Sequence, residues 1–145
     1  MRAKARTDPI RSILVPVDGS ASSRRAVQLA AEMSRAFGAK LTLLHVAPIQ
    51  ELPVLMSEAE DPREDREAEL VLGEQAKIAR GLGVEASVVV RRGRIATQIL
   101  RHVEGSKPDL VIMGTRGLTG AKSLLLGSVS RSVSRRAQSQ VVLVR

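Results

Sequence analysis

The chain has 145 residues, enough for one domain with a sizeable core, and its 43% apolar and 26% charged residues are ordinary for a globular protein. It has no cysteine, which excludes disulfides and thiol catalysis, and its apolar runs are far shorter than the roughly 20 residues of a membrane span. The net charge of +8 would suit a nucleic acid, but Phe37 is the only aromatic residue, so platforms for base stacking are missing. We therefore expect a cytoplasmic protein with neither a membrane nor a nucleic-acid partner.

A basic tail at residues 1–10 precedes a single predicted domain at residues 11–145. Short apolar runs predict strands at residues 13–17, 41–46, 84–90, 110–113 and 141–144. Apolar residues at helical spacing predict helices at residues 21–37, 62–82 and 95–103, and from residue 128 onward. Ser20 or Ser22 is suited to cap the first helix, and Gly38 to end it. The longer predicted loops are residues 48–61 and 105–108.

The alternation of short apolar strands with amphipathic helices predicts the fold. It indicates an α/β domain with a five-stranded parallel sheet and helices on both faces, Rossmann-like or flavodoxin-like. The simplest orders of five strands put the first and fourth side by side, and among them we expect 3-2-1-4-5. Ligands of such sheets bind beyond the carboxyl ends of the strands, where the winding reverses. The loops after the first and fourth strands, Asp18-Gly19-Ser20 and the stretch from Gly114, should therefore face each other across one crevice.

The loop after the fourth strand has a glycine spacing that suits a phosphate. Gly114 and Gly117 follow the strand, and Gly127-Ser128 opens the last helix. Glycines allow the backbone to approach an anion, and N–H groups at a helix start point toward its charge. A P-loop is excluded because Gly120-Ala121-Lys122-Ser123 has an alanine before its lysine. A dinucleotide fingerprint is excluded because only Asp18-Gly19-Ser20 follows the first strand.

The complete pattern, Gly-x2-Gly-x9-Gly-Ser, resembles that of the universal stress protein family, in its ATP-binding branch. The first strand and its acidic turn, Ile13 to Ser20, are also similar to that family, as are the second, fourth and fifth strands. The resemblance therefore runs from about Arg11 to Arg145 and implies an adenine nucleotide alpha hydrolase-like fold. One departure is the loop after the third strand, where the family often has Gly-x-Pro and this chain has Gly93-Arg94 without a proline.

The resemblance implies a nucleotide lying across both loops: ATP, or ADP or AMP, with Mg²⁺ or Mn²⁺ carried by the phosphates and not by protein side chains. The implied binding residues are Pro16, Val17, Asp18, Val46, Met113, Gly114, Thr115, Gly117, Gly127, Ser128, Val129 and Ser130. The first four lie at the adenine and ribose end, the next four follow the ribose and phosphates, and the last four hold the phosphates through N–H and hydroxyl groups.

Simpler structural interpretations exist for several of these positions. The glycines would also permit a tight turn, and Asp18 and Ser128 would also serve as helix N-caps. His45 and His102 have no partner at metal-ligand spacing and are interpreted as structural residues.

The crevice has no recognisable general base near the phosphates, so we expect nucleotide binding with slow or no hydrolysis, in a regulatory module of the stress response. A slow ATPase or phosphotransferase, or an interaction module that keeps only the fold, are the alternatives. The resemblance also implies a homodimer, with the apolar edge strand at residues 141–144 as the expected contact, and an unidentified regulatory protein is an expected partner. Valine at Gly114 or Gly127 is expected to empty the site and leave the fold intact.

Overall fold

The computed structural model describes residues 8–49, 62–116 and 126–145, so most of the predicted loop at 48–61 lies outside the described ranges. The strands are β1 (Ser12–Pro16), β2 (Lys40–Ala47), β3 (Ser87–Arg92), β4 (Leu110–Gly114) and β5 (Gln140–Val144). The helices are α1 (Ala21–Phe37), α2 (Pro62–Gly81), α3 (Ile95–Ser106) and α4 (Ser128–Arg136). All paired strands are parallel, in the order β3-β2-β1-β4-β5, and this confirms the predicted fold class and strand order.

The core consists of two aliphatic layers, one on each face of the sheet. Side chains of successive strand residues point to opposite faces. Ile13, Val15 and Leu43 pack with residues of α1 and α2, whereas Leu14 and Leu44 pack with residues of α3 and α4. The aliphatic character follows from the composition, because aromatic side chains make up only 1% of the chain.

The winding of the chain reverses between β1 and β4. β1 lies between β2 and β4 in the sheet, and the helices that follow β1 and β4 cover opposite faces. The loops after β1 and β4 therefore open at the same edge of the sheet, which is where α/β sheets of this type bind ligands. None of the helices within the described ranges is long and apolar enough to span a membrane.

The third strand begins later than the sequence predicts, at Ser87 and not at Val84. Gly83 has a φ of +82°, and its N–H donates to the Arg80 carbonyl at 2.9 Å. The Val84 N–H donates to the Ala79 carbonyl at 3.0 Å, so the two bonds form a Schellman motif that ends α2. Val84 is buried under this helix end, and that explains why the position is apolar. An apolar residue here therefore does not indicate the start of a strand.

The third helix ends later than predicted, at Ser106 instead of Val103. Lys107 has a φ of 47°, and its N–H donates to the Val103 carbonyl at 2.8 Å. Pro108 follows, and a proline disfavours the helical conformation in the residue before it. The helix therefore stops at the lysine before the proline, and the first half of the predicted loop at 105–108 is helical.

Candidate functional site

The turn after β1 is held by hydrogen bonds among Asp18, Ser20 and Ser23. Gly19 has a φ of +80°, which reverses the chain between β1 and α1. The Asp18 N–H donates to Ser23 Oγ at 3.2 Å, and Asp18 Oδ1 accepts the Ser20 N–H at 2.9 Å. Ser20 Oγ accepts the Ser23 N–H at 3.2 Å, so Ser20 and not Asp18 is the N-cap of α1. Asp18 shapes the turn with Oδ1, and its Oδ2 has no hydrogen-bond partner among the described residues.

β1 and β2 stop pairing at the level of Asp18. The last backbone bond between them runs from the Val17 N–H to the Leu44 carbonyl at 2.8 Å, and the Val17 carbonyl is bonded to Nδ1 of the buried His45 at 2.9 Å. Alternate residues of a parallel strand direct their N–H and C=O groups to the same neighbouring strand. Since Leu44 bonds to the β1 side, Val46 also faces that side, one step beyond the place where β1 turns away. The Val46 backbone therefore borders the crevice.

The end of β4 passes directly against the start of α1. A Cβ atom on Gly114 would lie 2.9 Å from both the carbonyl carbon and the Cβ atom of Ser22, a distance that real Cβ atoms essentially never show. Helix packing therefore requires glycine here, and the expectation that valine at Gly114 would leave the fold intact is wrong. A Cβ atom on Gly127 would lie 3.2 Å from the Thr115 carbonyl oxygen, which is tight but less crowded.

Thr115, directly after β4, connects the sheet to the start of α4. Its N–H donates to the Val144 carbonyl of β5 at 2.8 Å and so extends the pairing of the two strands. Its carbonyl accepts the Gly127 N–H at 2.8 Å. Ser130 Oγ lies 3.0 Å from the same carbonyl and 3.0 Å from the Gly127 carbonyl, so its hydrogen can be donated to either.

Arg116, the next residue, connects the same segment to the start of α1. Its carbonyl accepts a hydrogen bond from Ser22 Oγ at 2.7 Å and another from Ser20 Oγ at 3.2 Å. Two successive carbonyl groups thus bind two different helices, the first α4 and the second α1. Through them the Asp18 turn and the start of α4 have a fixed relation to one another.

The N-terminus of α4 is open, in the sense that no side chain of the described residues caps it. Gly127 is its N-cap, with φ −61° and ψ 157°, and its first turn has no acidic residue. The Arg131 N–H donates to the Gly127 carbonyl at 3.0 Å, so the N–H groups of Ser128, Val129 and Ser130 precede the first bond within the helix. Ser128 lies inside the helix and is not a cap, which removes one structural interpretation of that residue. N–H groups at the positive end of a helix dipole favour an anion.

The structure describes eleven of the twelve residues that the sequence assigns to the site, and Gly117 lies outside the described ranges. The eleven belong to the ends of three neighbouring strands, the two loops that follow β1 and β4, and the first turn of α4. They all lie at the carboxyl ends of the strands, some on the side of α1 and some on the side of α4, and the Thr115-Arg116 segment connects the two groups. Their contact with a nucleotide stays a prediction.

The sequence interpretation missed the hydroxyl groups in the first turn of α1 as parts of this crevice. Ser20, Ser22 and Ser23 are all buried. Burying a hydroxyl is costly unless it is hydrogen-bonded, and a helix start needs only one cap. Three serines within four positions were therefore a signal of further contacts. Ser22 and Ser20 share a partner, the Arg116 carbonyl, which is 94 and 96 residues away and follows only from the fold.

The arginines at the end of β3 have partners in the structure. Arg92 forms an ion pair with Asp65 of α2, and Arg91 Nε donates to His102 Nδ1 at 3.3 Å. Burial and the charge of Arg91 lower the pKa of His102, so its ring is a neutral acceptor near pH 7. In the part of the chain that the structure describes, no group of three histidine or acidic side chains could hold a metal ion. The bond to Arg91 gives His102 a structural role.

The comparison with known proteins gives a consistent result over nearly the whole chain. The sequence model of the universal stress protein family matches residues 9–145. A universal stress protein of Thermus aquaticus is 38% identical over 138 residues, which cover 93% of this chain and 98% of the relative. The chain belongs to the universal stress protein family. Universal stress protein YxiE of Bacillus subtilis is 32% identical over 146 residues, covering 92% of this chain and 97% of the relative.

Solved structures of other universal stress proteins share this fold. One in complex with cAMP has a TM-score of 0.76 and 25% identity, covering 95% of this chain and 99% of that one. Another, from Archaeoglobus fulgidus in complex with dAMP, has a TM-score of 0.74 and 21% identity, covering 95% of this chain and 100% of that one. The ligands of both neighbours are adenine nucleotides.

Proposed function

We propose that the crevice between the Asp18 turn and the start of α4 binds an adenine nucleotide: ATP, or ADP or AMP with a shorter phosphate chain. One observation carries the proposal. The N–H groups of Ser128, Val129 and Ser130 lie at an uncapped helix start, which Thr115 and Arg116 join to the Asp18 turn. A helix start of this kind favours phosphate. The cAMP and dAMP complexes of other family members support adenine as the base.

The other residues at the crevice suit a nucleotide of this kind. Asp18 Oδ2 is available to accept hydrogen bonds from ribose hydroxyls, since Oδ1 alone is engaged in the turn. The Val46 backbone extends past the end of β1 and can meet the edge of an adenine ring. In our proposal Mg²⁺ or Mn²⁺ arrives bound to the phosphates, whose oxygens suit these cations.

We expect this site to bind ATP with slow or no hydrolysis. Rapid phosphoryl transfer needs a positioned water and charge neutralisation at the γ-phosphate. Asp18 belongs to the α1 side of the crevice, where its Oδ1 shapes the turn, and in our proposal it faces the ribose. Steady-state hydrolysis at about 1 per second or faster, in the range of ordinary enzymes, would contradict this and favour the ATPase or phosphotransferase alternative.

We further propose that the protein is a cytoplasmic regulatory module of the stress response, in which nucleotide alters association with a regulatory protein. The proposed homodimer contact is β5, an edge strand whose residues Val141 to Val144 are only partly buried. An apolar edge strand with unpaired backbone groups favours association with another strand. A monomer mass by light scattering at micromolar concentration would contradict the dimer.

A proline at residue 128 tests the phosphate contact without breaking the helix. Proline is favoured at the first helical position, and Gly127, with φ −61° and ψ 157°, already has the conformation that a following proline requires. Ser128→Pro therefore keeps α4 and removes one N–H donor. Ser128→Ala is the matched control, because it removes the hydroxyl and keeps the N–H.

Calorimetric titration with ATP measures the effect. A hydrogen bond to a charged group contributes about 1.5–3 kcal/mol, so Ser128→Pro should weaken ATP binding at least about tenfold, and Ser128→Ala much less. Chromatography of nucleotide released by heating the purified wild-type protein identifies the resident ligand. Equal affinities of the proline variant and the wild type would show that α4 does not hold the phosphates. A wild-type protein that neither carries nor binds adenine nucleotide would refute the proposal and favour a fold-only interaction module.

A further inference from the structure

The hydroxyl of Ser22 has no task in the helix to which it belongs. The N-cap of α1 is Ser20, whose Oγ accepts the Ser23 N–H, so the first turn is capped without Ser22. Ser22 lies two positions after the cap, where serine has lower helix propensity than alanine. Its side chain is buried, and its Oγ makes the shorter of the two hydroxyl bonds to the Arg116 carbonyl, at 2.7 Å.

Ser20 Oγ joins the two sides of the crevice through one atom. It accepts the Ser23 N–H at 3.2 Å and donates to the Arg116 carbonyl at 3.2 Å. The Ser20 N–H is bonded to Asp18 Oδ1. Any displacement of Arg116 from α1 would therefore strain the Asp18 turn as well as the segment that leads away from β4.

We propose that Ser22, together with Ser20, is a positioning residue for the phosphate chain of the bound nucleotide; this inference rests on the proposed nucleotide function. The two hydroxyls hold the Arg116 carbonyl against α1, while the Thr115 carbonyl is held by the Gly127 N–H. The pair fixes the distance between the ribose side at Asp18 and the open start of α4. Neither hydroxyl needs to touch the nucleotide for this effect.

The consequence is a dependence on the number of phosphates. Adenosine contacts the Asp18 and Val46 side of the crevice alone in our proposal, so it does not require the fixed distance to α4. ATP spans both sides and does require it. Loss of Ser22 Oγ should therefore weaken ATP binding and leave adenosine binding nearly unchanged, whereas a general loosening of the fold would weaken both alike.

The test compares adenosine, AMP and ATP binding by calorimetry in the wild type and in Ser22→Ala. One hydrogen bond contributes about 0.5–1.5 kcal/mol, so we expect ATP affinity to fall about three- to tenfold, and adenosine affinity to stay within about twofold. AMP should show an intermediate loss. The matched control is Ser134→Ala, which removes a hydroxyl bonded to the Arg131 carbonyl at 3.1 Å within α4, and it should leave all three affinities unchanged.

The outcomes separate this inference from the proposed function. A wild type that binds ATP, together with a Ser22→Ala variant that loses ATP and adenosine affinity equally or not at all, would overturn the positioning role and leave the nucleotide site intact. A wild type that binds none of the three compounds would overturn the proposed function itself. A thermal melt of Ser22→Ala, recorded without ligand, verifies that the measured molecules are folded.

Discussion

Two helices begin at the crevice with the same pair of residues, yet their N-termini are built differently. In Gly19-Ser20 the serine is the N-cap of α1, and its Oγ accepts the Ser23 N–H at 3.2 Å. In Gly127-Ser128 the glycine is the N-cap of α4, and the serine is already inside the first turn. The cap of α4 therefore has no side chain that could accept a hydrogen bond.

The backbone explains this shift by one residue. Gly19 has a φ of +80° and reverses the chain, so Ser20 becomes the extended residue that precedes the helix. Gly127 has φ −61° and ψ 157° and is itself that extended residue. As a result a serine hydroxyl caps the first turn of α1. Within the described residues no side chain caps α4, and the N–H groups of Ser128, Val129 and Ser130 precede its first helical bond. We call the capped start of α1, which is bonded to Arg116, the closed start, and the uncapped start of α4 the open start. In our proposal the open start receives the phosphates.

The largest effect should follow from disturbing the closed start. Gly114 packs on Ser22, and the Cβ atom of alanine would lie 2.9 Å from the Ser22 carbonyl carbon, so α1 or β4 must move. We expect Gly114→Ala to reduce the free energy of unfolding by about 3 kcal/mol, measured by urea denaturation.

Gly73→Ala is the control for this substitution. Gly73 lies within α2, and a Cβ atom there would meet nothing within 4 Å, so alanine should stabilise the protein by about 0.5–1 kcal/mol. Two glycine-to-alanine changes with opposite signs would establish that packing against α1, and not backbone freedom, requires glycine at position 114. A Gly114→Ala protein as stable as the wild type would contradict the close contact.

A smaller difference should separate the two serines that follow the glycines. Ser20→Ala removes an N-cap and a donor to the Arg116 carbonyl, so it should cost about 1–2 kcal/mol of unfolding free energy. Ser128→Ala removes no cap and should change stability by less than about 0.5 kcal/mol. Both values come from the same urea titrations. Equal losses would mean that Ser128 does cap α4.

The sequence predicts the parts of this comparison that depend on local patterns. Alternation of apolar strands and helices indicates a parallel, doubly wound sheet, and right-handed crossovers leave few strand orders, of which the expected one is observed. The order then places the loops after β1 and β4 at one edge. Ser20 was a candidate cap and Gly38 the expected end of α1, and both are observed.

What the sequence does not predict depends on contacts between distant residues or on competing local signals. An apolar residue such as Val84 looks the same in a strand and under a helix end, and only the Schellman bonds distinguish the two. The sequence marks Gly114 as a place where a phosphate can approach the backbone. It does not show that Ser22 lies against Gly114, because that contact arises from the packing of α1 on β4. The serines of α1 find their partner at Arg116 only once both loops are in place.

A small effect on stability, together with a large effect on ATP binding, gives the sharpest test of the open helix start. A carboxylate in the first turn interacts favourably with the helix dipole, and the first turn of α4 has none. Ser128→Asp should therefore stabilise the ligand-free protein by about 0.5 kcal/mol. It should weaken ATP binding at least about tenfold, because the new carboxylate lies where the phosphates would bind and repels their negative charge. Ser128→Asn, similar in shape and uncharged, should change neither the stability nor the ATP affinity by much.

The gain in stability from Ser128→Asp should shrink in about 1 M salt, because salt screens the interaction of an exposed charge with the helix dipole. Thermal melts at low and high salt measure this directly. A protein in which aspartate destabilises α4, or leaves ATP affinity unchanged, would show that this terminus is not free to receive an anion.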